Sequence, residues 1–342
     1  MLSTLRATIR PVFRPISLRT SSIMTATKPT TTVAVLQIRS TGDPVHNLDI
    51  SKKLIRKAVD AGAKALFLPE ASDFIHPSAS ESRKLSPPLP SHPYTLGLQA
   101  LAKELGVVIS VGVHEGPSDE EGEKERIYNT HVLIGDKGDL LGVYRKLHLF
   151  DVELTKAAAE DGTIPPPQRV GESDRIIPGK EIVPPIHVDG VGNIGLEICY
   201  DIRFPELSLI LTRLGADVLL FPSAFTVKTG RDHWPTLLRG QAILNQTYVI
   251  ASAQYGAHNE GRTSWGESLA FDPWGKQLGR LRSVDDTPPG KDEEVEKIYE
   301  DSGEFFLFEI GEEAVKATRS QIPVAIQKRS DVYGVVGENV GK

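Results

Sequence analysis

The sequence predicts an α/β layered fold in which helices cover largely buried sheets. Three observations carry this expectation. Short segments of nearly continuous apolar character alternate with longer segments whose apolar residues recur at helical spacing. The apolar segments show no polar face, which suits strands covered on both sides. No linker-like stretch divides residues 32 to 280, so the alternation reads as one compact unit. At 342 residues, with 39% hydrophobic and 25% charged content, the chain has the composition of an ordinary globular protein with a large core.

The elements follow in order. Residues 1 to 31 stand apart: arginines at 6, 10, 14 and 19, many Ser and Thr, and no acid before Asp43. This is the composition of a mitochondrial transit peptide, and Met24 would start a cytoplasmic form lacking all four arginines. From Thr32 onward TVAVLQIR is a strand, DISKKLIRKAVDAGA a helix, ALFLPE a strand, LGLQALAKEL a helix and VVISVGVH a strand. NTHVLIG and DLLGVYRK continue the sheet. VGNIGLEIC is a strand, and the Pro205-led PELSLILTRLGA is a helix ended by Gly215. DVLLFPSAF, the helical HWPTLLRGQAILNQ and YVIASAQ complete the pattern. Segments 115–126 and 283–303 are acidic and aperiodic and read as solvated loops, as does the Pro/Ser-rich stretch near residue 80, which follows LPEASDF closely enough to border a site. The domain is thus expected over 32–334, with 335–342 as a tail.

Several function classes are disfavoured. A formal charge of −6 gives no general basic surface for nucleic acid. No apolar run approaches the roughly 20 residues that span a bilayer. The single cysteine, Cys199, excludes an internal disulfide and Cys-rich metal sites, and phosphate-loop, dinucleotide and H-E-x-x-H motifs are absent, so no cofactor and no metal is expected.

Cys199 lies where the VGNIGLEIC strand turns into a Pro-led helix. Such a corner favours a thiolate or a developing oxyanion, but a lone cysteine is as readily a small core residue. The usual partner would be a histidine. His114 and His131 lie on strands and His258 in a loop, none in a recognisable catalytic context. The strand ends are more informative. ALFLPE ends in Glu70 and DLLGVYRK in Lys146, so three strand C-termini, where α/β sites assemble, carry Glu, Lys and Cys.

The segments ALFLPE, VYRKLHLFDVE, GLEICYDIRFPELS and DPWG resemble the nitrilase superfamily of carbon–nitrogen hydrolases, over about residues 32 to 334. The resemblance implies a four-layer α-β-β-α sandwich, a Glu70–Lys146–Cys199 triad and a homodimer formed across the helix after Cys199. Within the superfamily the likeness is closest to the branch of deaminated glutathione amidases, with omega-amidases for 2-oxoglutaramate or N-carbamoyl hydrolases as alternatives. A non-catalytic binding protein would be expected to lack part of the triad. The implied chemistry is attack by Cys199 on an amide, expulsion of ammonia, and a thioester hydrolysed with Glu70 as base. Lys146 and the Tyr200 N–H would hold the oxyanion. Glu172, in GESDRIIPG, matches a second glutamate that superfamily members keep near the triad, with a solvated loop acid as the alternative. Arg203, Phe225 and Thr229 would contact the substrate. Arg203 could grip a carboxylate bidentately, or could pair with Glu206 on the helix surface. Glu197 departs from the pattern. Strand alternation places it on the side of Cys199, where its carboxylate would raise the thiol pKa, unless the strand end turns it away.

Overall fold

The computed structural model of the protein describes residues 30–118, 125–154, 168–287 and 291–337. The arginine-bearing leader and the chain end from 338 lie outside the described residues.

The first half comprises β1 (Thr31–Gln37), α1 (Pro44–Asp60), β2 (Ala65–Phe67), α2 (Ala79–Leu85), α3 (Pro93–Leu105), β3 (Val108–Glu115), β4 (Tyr128–Ile134), β5 (Leu140–Arg145) and a hairpin of β6 (Asp151–Leu154) and β7 (Gln168–Gly171). The second comprises β8 (Ile186–Val188), β9 (Gly192–Leu196), α4 (Pro205–Arg213), β10 (Val218–Leu220), α5 (Val227–Asn245), β11 (Tyr248–Ala251), a hairpin of β12 (Tyr255–Asn259) and β13 (Arg262–Trp265), β14 (Leu269–Phe271) and β15 (Gln277–Arg280). After these come α6 (Asp292–Asp301), β16 (Glu304–Ile310) and α7 (Glu312–Gln321).

Among the described residues two six-stranded sheets form, ordered β16-β1-β2-β3-β4-β5 and β15-β14-β11-β10-β9-β8. Each has a parallel centre, β1-β2-β3 in one and β9-β10-β11 in the other. Side-chain alternation makes the layers. Val33, Val35, Ala65 and Phe67 of the first sheet join Ile194, Leu196, Val218 and Leu220 of the second in one core. The intervening Ala34, Leu36 and Leu66 pack instead against Ile50, Leu54 and Ile55 of α1 and Leu98 and Leu101 of α3. On the far side Leu207 and Leu211 of α4 and Trp234, Leu238 and Ala242 of α5 cover the second sheet. Helix, sheet, sheet and helix therefore stack in four layers. Full burial of each such side chain contributes on the order of 1.5–3 kcal/mol.

Local signals fix the helix ends. The Asp43 carboxylate accepts from the Val45 and His46 N–H groups with Pro44 opening α1. Gly106, at φ +62°, ends α3 in the left-handed conformation glycine tolerates.

Polar side chains tie the sheets together beneath the site. Ser252 Oγ donates to the Phe67 carbonyl, 2.7 Å, and the Gln254 amide donates to Ser40 Oγ, 2.7 Å, and the Glu70 carbonyl, 3.0 Å. His131, fully buried on β4, spans from Ser110 Oγ (2.7 Å) to the Glu197 carbonyl (2.9 Å). Burial lowers its pKa to about 4, so it is neutral, with Nδ1–H donating to Glu197 and Nε2 accepting from Ser110.

The structure corrects four loop assignments. Residues 292–301 of the acidic 283–303 segment form α6, because Val295 and Tyr299, four apart, bury against Tyr255, whose ring stacks on Tyr299 at 4.2 Å. Two apolar residues in an acidic run are too few for periodicity to register. Glu115 ends β3 instead of opening a loop and is held by Arg145 and Thr130, while 119–124 of that acidic stretch lie outside the described residues. Near residue 80, α2 forms behind the N-cap Ser78, and His258 lies on β12.

Candidate active site

Glu70, Lys146 and Cys199 follow the C-terminal ends of β2, β5 and β9, and the two-sheet stack brings these ends to one cavity of about 570 Å³. The Pro69–Ser72 turn that carries Glu70 leans on β3: the Gly112 N–H donates to the Pro69 carbonyl, and Ser72 N–H to the Gly112 carbonyl. A Cβ at Gly112 would stand 2.6 Å from the Glu70 Cα, so the close approach requires glycine.

Lys146, 2% exposed, places its ammonium 3.0 Å from Glu70 Oε1 and 2.9 Å from both oxygens of Glu172. Asn129 also bridges the two acids, donating to Glu70 (2.7 Å) and Glu172 (3.2 Å). The Phe150 N–H donates to Glu172 Oε2 at 2.7 Å. Glu172 is therefore an oriented partner of Lys146, not a solvated loop acid. Asn129 is a member of this cluster that sequence reasoning missed, because an Asn opening a strand carries no signal of its own.

Cys199 sits at φ +47°, a left-handed conformation that a non-glycine residue holds only when its surroundings enforce it. Several hydrogen bonds do so. Its N–H donates to the Pro222 carbonyl (3.0 Å), and the Asp201 carboxylate accepts from the Ile198 N–H (2.9 Å). Asp201 is itself fixed by the Tyr144 hydroxyl (2.8 Å) and His148 Nδ1 (2.7 Å). The thiol opens onto the same cavity as Glu70 and Lys146.

These contacts set the resting protonation. Burial pushes the Cys199 thiol well up, the Glu70 carboxylate pushes further, and Lys146 opposes. Burial also penalises ionised Glu70, but Lys146, the Cys199 thiol beside it and the Asn129 amide outweigh it and hold the carboxyl below its ordinary range. Burial works against the Lys146 ammonium too, and Glu172 and Glu70 overcome it, leaving its pKa well raised. The resting site thus pairs a neutral thiol with an ionised glutamate.

Tyr200, Phe225 and Thr229 line the cavity, with Phe225 packed on Trp234 at 4.4 Å and Thr229 Oγ1 2.8 Å from Thr226 Oγ1. Arg203 does not. Its guanidinium stands 5.9 Å from the Tyr200 ring centre and 6.0 Å from that of Phe225, with Nη2 3.0 Å from His233 Nδ1, so it meets neither the cavity nor the expected helix partner Glu206. The chain leaves it there because Arg203 ends a 3₁₀ turn, Cys199–Arg203, that rotates it past the nucleophile. The cavity-lining arginines are Arg169, Arg175 and Arg262.

At Glu197 the strand end turns the side chain away from Cys199. β9 ends at Leu196, and the backbone turn beyond it sends the Glu197 carboxyl, fully buried, to Ser208 of α4, with Oγ 2.8 and 2.9 Å from its oxygens. It is not among the groups that perturb the thiol. Burial and the nearby Asp201 raise its pKa well above the ordinary value, so it rests protonated. A pKa raised in the folded state contributes stability below the unfolded value of about 4.3 that is lost as pH rises through the folded value. Glu197→Gln is therefore expected to leave the chemistry at Cys199 within about twofold of the wild type and to melt higher than it above neutral pH, where burial of a carboxyl is most unfavourable. Thermal melts from pH 5 to 9 check this; a variant less stable at high pH contradicts it.

Comparison with known proteins places this geometry. Residues 32–286 match the family model for carbon-nitrogen hydrolase. The chain is 40% identical over 324 residues to the deaminated glutathione amidase of Bos taurus, covering 94% of this chain and 89% of that one. It is 41% identical over 243 residues to the deaminated glutathione amidase of a Synechocystis species, covering 71% of this chain and 84% of that one. Among solved structures it is similar to the NitFhit protein of C. elegans at TM-score 0.75 and 35% identity, covering 89% of this chain and 66% of that longer one.

Proposed function

The chain belongs to the carbon-nitrogen hydrolase family, and from that premise we propose that it cleaves deaminated glutathione, a 2-oxo acid amide, through a thioester on Cys199. It is a hydrolase of carbon–nitrogen bonds other than peptide bonds, with the four-layer architecture of that family. The observation that carries the mechanism is the single buried thiol in one cavity with Glu70, whose carboxylate shares Lys146 with Glu172.

Glu70 takes the Sγ proton as sulfur attacks the amide carbon, so the high thiol pKa is met by transfer during attack and no free thiolate is needed. Lys146 and the Tyr200 N–H stabilise the tetrahedral oxyanion. Glu70 then passes its proton to the leaving nitrogen, the C–N bond breaks, and the acyl group remains on Cys199. Water, deprotonated by Glu70, attacks the thioester and restores the thiol. Glu172 keeps Lys146 in place and charged. The amide of deaminated glutathione is secondary, so its leaving group is the cysteinylglycine amine; ammonia, expected above, leaves only from primary amides such as 2-oxoglutaramate.

The substrate's 2-oxo carboxylate is assigned to Arg262, whose guanidinium donates to the Ala224 carbonyl on the cavity wall that holds Cys199. Arg262→Ala is expected to raise KM for carboxylate-bearing amides about tenfold with a smaller change in kcat, as charge-assisted hydrogen bonds contribute about 1.5–3 kcal/mol. An equal loss on a carboxylate-free amide removes the assignment. The substrate itself is tested by kcat/KM on deaminated glutathione and 2-oxoglutaramate side by side. The reading predicts at least a tenfold preference for the first; the reverse order makes the protein an omega-amidase.

Two further parts of the reading rest on other observations. Leu214, Ile243, Leu244 and Trp274 are exposed, and Gly275 lies against Ile243, so α4 and α5 present an apolar face suited to a twofold dimer. The leader's composition supports mitochondrial import of the full chain, with a cytoplasmic form from Met24.

A further inference from the structure

Asp73 and His114 form a polar pair beside the reacting groups that the mechanism above does not use. Asp73 is fully buried. Its carboxylate accepts from the His114 N–H (2.9 Å) and from Nδ1 (3.0 Å), and His92 Nε2 lies 3.5 Å from it. The Phe74 ring stacks on the imidazole at 4.3 Å, so the ring is fixed from two directions. With Nδ1 committed to Asp73, Nε2 is the polar atom the ring offers to the cavity it lines.

The position of His114 in the sheet decides which part of a substrate it meets. On the β3–β4 ladder His114 stands opposite Asn129, so both side chains leave the same face, and Asn129 is the residue that bridges Glu70 and Glu172. His114 is thus on the Glu70 wall of the cavity, with Phe74 and His76, while Tyr200, Phe225, Thr229 and Arg262 belong to the half that carries Cys199. Because Glu70 delivers the proton to the departing nitrogen, that nitrogen faces the Glu70 wall. Its substituents run toward His114, and the acyl group runs the other way. Burial opposes a charge on His114, but Asp73 outweighs it and Glu70 and Glu172 add to the effect, so the cation is favoured.

From this placement we infer that His114, positioned by Asp73, binds a carboxylate of the leaving amine and selects secondary amides whose amine half is anionic. The inference deepens the reading above and rests on it. It separates the two ends of the substrate: Arg262 for the acyl carboxylate, His114 for the one that departs.

The test uses the full chain with deaminated glutathione and its C-terminal carboxamide, which differ only in the charge of the leaving peptide. Wild-type enzyme is expected to prefer the carboxylate form. His114→Asn, whose amide can still donate to Asp73, is expected to reduce that preference at least tenfold, seen mainly in KM; Asp73→Asn should reduce it in the same direction. His114→Gln serves as a second variant, and thermal melts identify any variant that does not fold. Parallel losses on both substrates in a folded variant, or an unchanged preference, overturn the inference. Wild-type enzyme that cleaves 2-oxoglutaramate but not deaminated glutathione overturns the substrate reading and, with it, the leaving-peptide contact, a failure visible before any substitution is made.

Discussion

Cys199→Ala is expected to lower amide hydrolysis by about 10⁴-fold or more while leaving the protein folded, because the nucleophile is the one group whose removal eliminates the covalent step. The fold should tolerate the change. Alanine keeps the Cβ, so the left-handed backbone at residue 199 gains no new strain, and the Pro222 and Asp201 contacts that enforce the corner involve main-chain groups. Losing one small buried atom costs on the order of 1 kcal/mol. Circular dichroism, a melting curve and a rate measurement on one preparation check the three parts together. Activity above a trace in the alanine variant contradicts the covalent mechanism.

Lys146→Met is expected to damage both catalysis and stability. The ammonium stands between two carboxylates, and the methionine side chain fills the space without the charge, leaving Glu70 and Glu172 facing each other with their cation gone. Removing one partner of a buried ion pair costs about 3–5 kcal/mol. For a chain of this size that is roughly a 4–7 °C fall in Tm. The rate should fall at least a hundredfold through the lost oxyanion contact. The pH dependence has a definite sign. Without the lysine, burial and the facing Glu172 carboxylate raise the Glu70 pKa above its unfolded value, so stability is retained at low pH and lost as pH rises through the raised value. Wild-type Glu70 has a lowered pKa and keeps its contribution down to acid pH. The gap in Tm between variant and wild type should therefore be wider at pH 8 than at pH 5. A gap that does not change with pH means the loss is one of packing and not of charge.

Much of the site was legible because its parts sit at the ends of apolar runs. LFLPE and VYRK each read as a strand closing on a charged residue, and a charge at a strand C-terminus has a position before it has a partner. The layered fold was legible for the same reason, since nearly continuous apolar strands separated by helices admit few arrangements. The errors arose where local spacing does not determine direction. Glu197 stayed open between two directions because alternation holds only within a regular strand, and β9 ends one residue earlier. Arg203 was placed by its distance in sequence from Cys199, whereas a positive φ and a 3₁₀ turn separate the two in space. Asn129 and Asp73 act through long-range contacts to β2, β3 and the Glu172 turn, and neither lies in a pattern that predicts those contacts. α6 hid its two buried residues, Val295 and Tyr299, in an acidic stretch.

The central claim, that hydrolysis passes through an acyl group on the Cys199 sulfur, is tested most directly by mass spectrometry of enzyme quenched in acid during its first turnovers of deaminated glutathione. The measurement is made on the wild type, on Cys199→Ala and on Glu70→Gln, which lacks the base for both thiol attack and thioester hydrolysis. The account predicts a 2-oxoglutaryl adduct on the wild-type peptide containing Cys199, and no such adduct in Cys199→Ala or Glu70→Gln over the same interval. Product formation by the wild type with Cys199 unmodified throughout its first turnovers contradicts it.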